Sequence, residues 1–199
     1  MGARQPPAGL LGRRIVIFGP SCSGKSTLGM ELARRLDIPF IKLDALFWQE
    51  NWGRPSDGDF CALLRGAHGG EEWVSAGNYL RQARFVTWPL ADTFIWLDIG
   101  LPTTTWRILR RSWRRWRSRE LLWGVCRESF WRQLALWSEH RSLIRYNIAR
   151  RRPNRAAFEA AQRDAEAAGK TFLRLRSRRD VELLLARLDG RAGTGASGP

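Results

Sequence analysis

The chain has 199 residues, 44% of them hydrophobic, enough for one α/β domain with its own core and too few for a second complete one. Its 34 basic residues against 19 acidic ones leave a formal charge of +15, and every basic residue is arginine except Lys25, Lys42 and Lys170; such a surface attracts nucleotides, nucleic acid or acidic lipid. Cys22, Cys61 and Cys126 have neither metal nor disulfide spacing, which points to the reducing cytoplasm, and no run reads as a signal peptide or reaches the roughly 18 apolar residues of a membrane span.

Residues 1–12, with Pro6, Pro7, Gly9 and Gly12, read as a flexible leader to a single domain expected over 13–188. Arg14-Ile15-Val16-Ile17-Phe18 is a short apolar run rich in β-branched residues, the pattern of a buried strand. It feeds Gly19-Pro20-Ser21-Cys22-Ser23-Gly24-Lys25-Ser26-Thr27, which fits G-x-x-x-x-G-K-[ST]. Leu28, Leu32 and Leu36 then recur at helical spacing. Strand, glycine loop and helix together are the setting of a phosphate-binding P-loop. Gly19 and Gly24 let the backbone bend where a side chain would collide, so that successive N–H groups form an anion nest backed by the helix start. All nine residues are expected to hold ATP, Cys22 through its backbone alone. Lys25 would reach the β- and γ-phosphates and the Ser26 hydroxyl would ligate Mg²⁺.

Further along, Pro39 to Asp44 reads as a second strand ending on an acid, and Ala45 to Trp48 follows it. Asn51 to Gly58 is rich in turn residues, and Asp59 to Leu64 belongs to a short helix. Glu72 to Gly77 is a third strand, with Asn78 and Tyr79 just past its end. Thr93 to Asp98 is a fourth, again closing on an aspartate. Pro102 and Thr103 to Thr105 open a helix through Arg119, and a second helical stretch runs from about Cys126 to Arg150. Arg155 to Ala168 is helical by propensity and is stopped by Gly169. Thr171 to Leu175 is a fifth strand, Asp180 caps a helix through Leu188, and residues 189–199 read as a disordered tail. Strands alternating with helices predict a parallel sheet covered on both faces, with ligands beyond the strand C-terminal ends. Asp44, the Gly77-Asn78-Tyr79 turn and Asp98 all fall there, beside the glycine loop.

Within the P-loop class the sequence has no guanine-reading N-K-x-D, no apolar strand ending Asp-Glu and no L-S-G-G-Q, which leaves a small kinase. Leu43-Asp44-Ala45-Leu46-Phe47-Trp48, Gly77-Asn78-Tyr79, Ala91-Asp92-Thr93 with Ile95-Trp96-Leu97-Asp98, Arg127-Glu128 after Trp123, and Leu173-Arg174-Leu175-Arg176-Ser177 resemble the "DNA topology modulation protein" group of adenylate-kinase-like P-loop proteins. The resemblance covers about Arg14 to Leu188. It implies the nucleoside-monophosphate-kinase fold, a three-layer α/β P-loop NTPase with a five-stranded parallel sheet in the order 2-3-1-4-5, together with ATP binding and phosphoryl transfer. The group usually has Asp before Gly-Asn-Tyr, where this chain has Ala76. In related kinases that acid helps hold the water shell of Mg²⁺. Ala76 therefore implies a weakened magnesium site, with Asp44 or Asp98 expected to take over part of the role.

Asp44 is a candidate to position or deprotonate an acceptor hydroxyl, against the plainer reading of a helix cap. Phe47, Trp48, Gly77, Asn78 and Tyr79 are expected to face the acceptor with it. For Asp98 a capping role before Pro102 weighs equally. Seven arginines stand between Arg107 and Arg119, while Trp106, Leu109, Trp113 and Trp116 share one arc of the same helix. The arginines are either a solvated face or a lid, expected at about 101–120, in which one or two of Arg107, Arg110, Arg111 and Arg114, with Arg107 and Arg111 the first candidates, bind the transferring phosphate. The tryptophans pack in core or lid by default; an acidic membrane or single-stranded bases are the alternatives. His68 and His140 have no partner at metal-binding spacing. The function expected is an ATP- and Mg²⁺-dependent cytoplasmic kinase of a small acceptor such as a nucleoside or nucleotide. The rival is a basic nucleic-acid-binding protein with ATP as a regulatory ligand or none.

Overall fold

The computed structural model describes residues 11–50, 53–118, 121–122, 126–127 and 142–192. Most of the expected leader, the last seven residues of the expected tail, and residues 128–141 of the stretch read as helical lie outside the described residues. Five strands form the main sheet: β1 (Arg14–Phe18), β2 (Phe40–Lys42), β3 (Trp73–Ala76), β4 (Thr93–Leu97) and β5 (Thr171–Leu175). They pair in parallel, in the order β2-β3-β1-β4-β5. This is the predicted 2-3-1-4-5 order.

β1 lies at the centre and is buried on both sides, which is why it reads as an unbroken apolar run instead of an alternating one. Ile15 and Ile17 point to the face covered by α1 (Lys25–Leu36) and α7 (Arg178–Ala192), where they meet Leu28 and Leu32. Val16 and Phe18 point the other way, to Trp88, Trp96 and to Phe158 of α6 (Leu143–Ala167). Phe18 and Phe158 lie 4.6 Å apart between ring centroids. A third, smaller cluster joins Leu43 of α2 (Leu43–Phe47) to Phe60 and Leu64 of α3 (Asp57–Ala67). Leu32 is completely buried, and each such leucine stabilises the fold by about 1.5–3 kcal/mol.

Several boundaries differ from the sequence reading. The second strand stops at Lys42, and α2 begins at Leu43, so Asp44 sits in the first turn of a short helix and not at a strand end. The reason is packing: Leu43 turns into the third cluster instead of continuing the pleat. The short helix around residues 59–64 extends over Asp57–Ala67, because the Ser56 hydroxyl accepts from the Asp59 N–H and caps it. A helix the sequence reading passed over, α4 (Leu80–Val86), follows Tyr79. Cys126–Arg127 pairs antiparallel with Leu121–Leu122 instead of opening a helix. That helix begins at Leu143, capped by the Ser142 side chain, and runs through Pro153 to Ala167 as one element. The last helix continues past Leu188 to Ala192, held there by an Arg35–Asp189 ion pair of 2.7 Å. Among the described residues no helix is long and apolar enough to cross a membrane.

Candidate functional site

The glycine loop leaves β1 at the C-terminal edge of the sheet. Gly19 has φ 146, and a Cβ there would lie 2.4 Å from the Leu97 carbonyl oxygen, so only glycine lets β1 turn this close to β4. Gly24, at φ 106, precedes α1, and the space before it is open: a Cβ would find Arg107 Nη1 at 3.9 Å. No side chain caps α1 and no acid stands in its first turn. The first N–H groups of that helix thus point toward an anion site with nothing to repel a phosphate.

Two asparagines hold the loop in shape. Asn78, just past β3, accepts from the Gly19 N–H at 3.1 Å and donates to the Gly19 carbonyl. Asn147, nine-tenths buried on α6, does the same for Ser21, at 3.1 Å both ways. One side-chain amide thereby replaces both hydrogen bonds of one loop residue, twice, from opposite sides. Asn78, expected to face the acceptor, is engaged with the loop backbone. The sequence reading missed Asn147. Its signal is an amide inside a long helix, where asparagine is otherwise unfavoured.

Lys25 folds over the loop and donates from Nζ to the Gly19 carbonyl at 2.9 Å and the Pro20 carbonyl at 2.8 Å. Burial lowers its ammonium to about 8; the nearby Asp44 carboxylate opposes the shift, and the Arg111 charge adds to it. The helix after β4 is α5 (Leu101–Ser118), as predicted. From it Arg107 donates Nη1 to the Ser23 carbonyl at 3.0 Å. Arg111, one turn on, has a buried Nε without a hydrogen-bond partner. The face of α5 turned inward is Thr104, Ile108 and Ser112, with Arg107 and Arg111 half-buried beside them. The tryptophan arc points outward: Trp106, Trp113 and Trp116 are exposed, whereas Trp73, Trp88 and Trp96 are core.

On the other side of Lys25, Asp44 Oδ1 accepts from the Tyr79 hydroxyl at 2.8 Å. Burial first, then the Asp44 charge, drives the Tyr79 phenol far above its ordinary value, so it stays a donor. Tyr79 packs on Phe47 and Phe60, and Phe47 meets the Trp48 ring edge-on at 5.1 Å. Gly77 lets β3 pass close to α2, since a Cβ there would lie 2.6 Å from Leu43 Cβ. Asp98 is committed elsewhere: its Oδ2 accepts from Arg174 Nη2 at 2.6 Å, and the Arg174 guanidinium lies 4.0 Å from the centre of the Trp96 ring. The sequence reading did not find that pair, which the register of Trp96 opposite Arg174 sets up. Ala76 is buried in the cluster on the α1 side. Among the described residues no group of three or more His, Cys, Asp or Glu could hold a metal ion. Ser26, the first-turn hydroxyl of α1, is the candidate ligand that the loop itself supplies.

No protein-family model matches the chain, and no curated protein matches it by sequence. Among solved structures, it is similar to a shikimate kinase from Bacteroides thetaiotaomicron, with 16% identity over 91% of this chain and 98% of that one and a TM-score of 0.50. A gluconokinase from Sinorhizobium meliloti 1021 aligns at 16% identity over 94% and 99%, with a TM-score of 0.49. A deoxyadenosine kinase from M. mycoides aligns at 14% over 88% and 98%, with a TM-score of 0.43. The first likeness, taken with the strand order and the glycine loop, defines the class: the chain has a P-loop kinase-like fold. At such identities the likeness is one of fold, and the activity has to be argued from the site.

Proposed function

We propose that the chain is an ATP-dependent phosphotransferase that moves the γ-phosphoryl group to a hydroxyl of a small acceptor such as a nucleoside or nucleotide, in the cytoplasm. The observation that carries the reading is convergence on one loop. Lys25 from α1 and Arg107 from α5 both donate to the backbone of residues 19–23, and the Asp44 charge acts on Lys25 from the facing side. The residues fit a triphosphate: an open cradle at Gly24, uncapped N–H groups, and the orphaned Nε of Arg111. Ser26 would hold Mg²⁺, which when bound neutralises charge on the phosphate oxygens.

The roles follow from position. Asn78 and Asn147 fix the loop so that its N–H groups need not reorganise when charge develops. Lys25 and the arginines neutralise the oxygens between which the phosphoryl group passes. Asp44, oriented by the Tyr79 hydroxyl, takes the proton of the attacking hydroxyl as the new O–P bond forms, and the bond to the leaving ADP oxygen breaks. Phe47 and Trp48 offer a wall for the acceptor.

The test is a screen of ATP consumption with the intact protein against nucleosides, nucleotides and small hydroxylated metabolites. We expect at least one acceptor class to raise consumption well above acceptor-free hydrolysis. If MgATP binds and no acceptor raises consumption, the chain is a nucleotide-binding protein and the kinase reading falls.

A further inference from the structure

Helix α5 has a second face that the phosphate site does not use. Opposite Thr104, Ile108 and Ser112 stand Trp106, Trp113 and Trp116, exposed by 65%, 47% and 41%. Over ten residues they make a stripe about 15 Å long. Exposed Arg110, Arg114 and Arg117 run along one flank of it. Large aromatic surface gathered on one helix marks an interaction site, because single scattered apolar residues are what a monomer's surface ordinarily shows.

Charge selects the occupant. The chain carries +15, and the flank of the stripe is purely basic, so the partner is anionic. A second copy would set these arginines against themselves. Single-stranded nucleic acid satisfies the charge, but a base held between two rings needs about 7 Å, twice the stacking rise. Trp113 and Trp116 instead lean together with centroids 5.3 Å apart and planes tilted by 42°. An acidic bilayer satisfies both features: indoles settle at headgroup depth while guanidinium groups alongside bind lipid phosphates. We propose that the outward face of α5, with Trp106, Trp113 and Trp116 as anchors and Arg110, Arg114 and Arg117 as the charged flank, docks the protein on an anionic lipid surface. Arg110, Arg114 and Arg117 border the same cavity as Arg107 and Arg111, so docking brings the lipid surface up to the edge of the phosphate site.

The experiment uses the full chain with vesicles of phosphatidylcholine, with or without phosphatidylglycerol, read by co-sedimentation and by quenching of tryptophan emission with brominated lipid. We expect binding at least about tenfold tighter to the vesicles containing phosphatidylglycerol, weakened by salt, with clear quenching. Trp106→Ser with Trp113→Ser should lower it about tenfold or more, and Arg110→Gln or Arg117→Gln about fivefold each. Phe85→Ser, at a position 79% exposed on α4, should change nothing. Circular dichroism checks the fold of each variant; if the double variant unfolds, quenching in the unaltered protein still decides. No partition into acidic vesicles, partition without quenching, or equal binding by a folded double variant would overturn the proposal. So would a double variant that keeps vesicle binding but loses an oligonucleotide or a dimer.

Discussion

Helices α1 and α5 both reach the glycine loop, and they are built in opposite senses. α1 turns Leu28, Leu32 and Ala33 to the sheet, Arg34 to water and Arg35 toward α7, so its apolar periodicity names its buried face. α5 buries a threonine, an isoleucine and a serine, tucks Arg107 and Arg111 beside them, and leaves three tryptophans outside. What lies beneath each helix explains the difference. Under α1 is a sheet of Ile15, Ile17 and Val74, which rewards leucine. Under α5 are the carbonyls of Cys22 and Ser23, which reward donors. Hydrophobic periodicity identifies the inner face of a helix only when the thing beneath it is apolar.

The largest effect we expect comes from the α1 end. Lys25→Ala should abolish ATP binding and lower turnover about 10³-fold or more, with the fold intact by circular dichroism. Undiminished ATP affinity by calorimetry in the folded variant would remove Lys25 from the site. Its pH behaviour sharpens the point. With the ammonium at about 8, the free protein loses this charge as pH rises through that value. ATP affinity should therefore be flat below pH 7 and fall above pH 8, and binding near pH 8 should take up a proton. Calorimetry in buffers of different ionisation enthalpy reads that proton directly.

Stability gives the next contrast. Leu32→Ala should cost about 2–5 kcal/mol, since the residue is completely buried against β1 and β3. Trp113→Ser should cost less, about 1 kcal/mol, despite removing a far larger side chain, because that side chain is only half-buried and packs on Trp116. Denaturant midpoints compare the two, and a loss above about 2 kcal/mol for Trp113→Ser would mean the tryptophan face of α5 is core after all. On the same helix, Arg107→Ala or Arg111→Ala should lower kcat about 10²-fold with little change in the KM for ATP, whereas Arg110→Ala, at an exposed position on the rim of the same cavity, should lower it far less. Equal effects at Arg107 and Arg110 would show that only bulk charge matters.

Much of this was legible before any coordinates. β1, the glycine loop and α1 lie in continuous sequence, and local spacing specifies them. The parallel sheet followed from alternation, and its strand order from the resemblance alone. The register of side chains over the loop was not legible. Asn147 is 126 residues from the Ser21 it holds, and nothing local in its helix names that partner. Asp98 and Arg174 meet only because β4 and β5 pair in one register. The face of α5 was misjudged by default because a run of Trp and Arg has a clear arc whichever way the arc points. Asp44 was placed one element early because Leu43 could continue a strand or start a helix, and only the pocket made by Phe60 and Leu64 decides.

The smallest effect, at Ala76, lies where the apolar packing of α1 meets the rim of the phosphate site. Ala76 pairs in register with Ile17 on one side and Lys42 on the other, and it is 3% exposed among Leu28 and Leu32. A carboxylate placed there by Ala76→Asp enters an apolar surround and costs roughly 1–3 kcal/mol unless something pairs with it. The water shell of a Mg²⁺ held by Ser26 would be such a partner, because the ion keeps several waters and a neutral hydroxyl offsets little of its charge. Asp98 already holds Arg174, so we expect Asp44 to carry most of the compensation in the present sequence. Ala76→Asp should then be less stable alone, recover most of that loss with MgATP, and reach half-saturation at severalfold lower magnesium. Asp44→Asn should move the half-saturation point upward and reduce turnover. A magnesium titration at fixed ATP on the three proteins reads all of this. If Ala76→Asp loses stability, shows no recovery with MgATP and keeps its half-saturation point, position 76 belongs wholly to the packing of α1, and the metal is held without it.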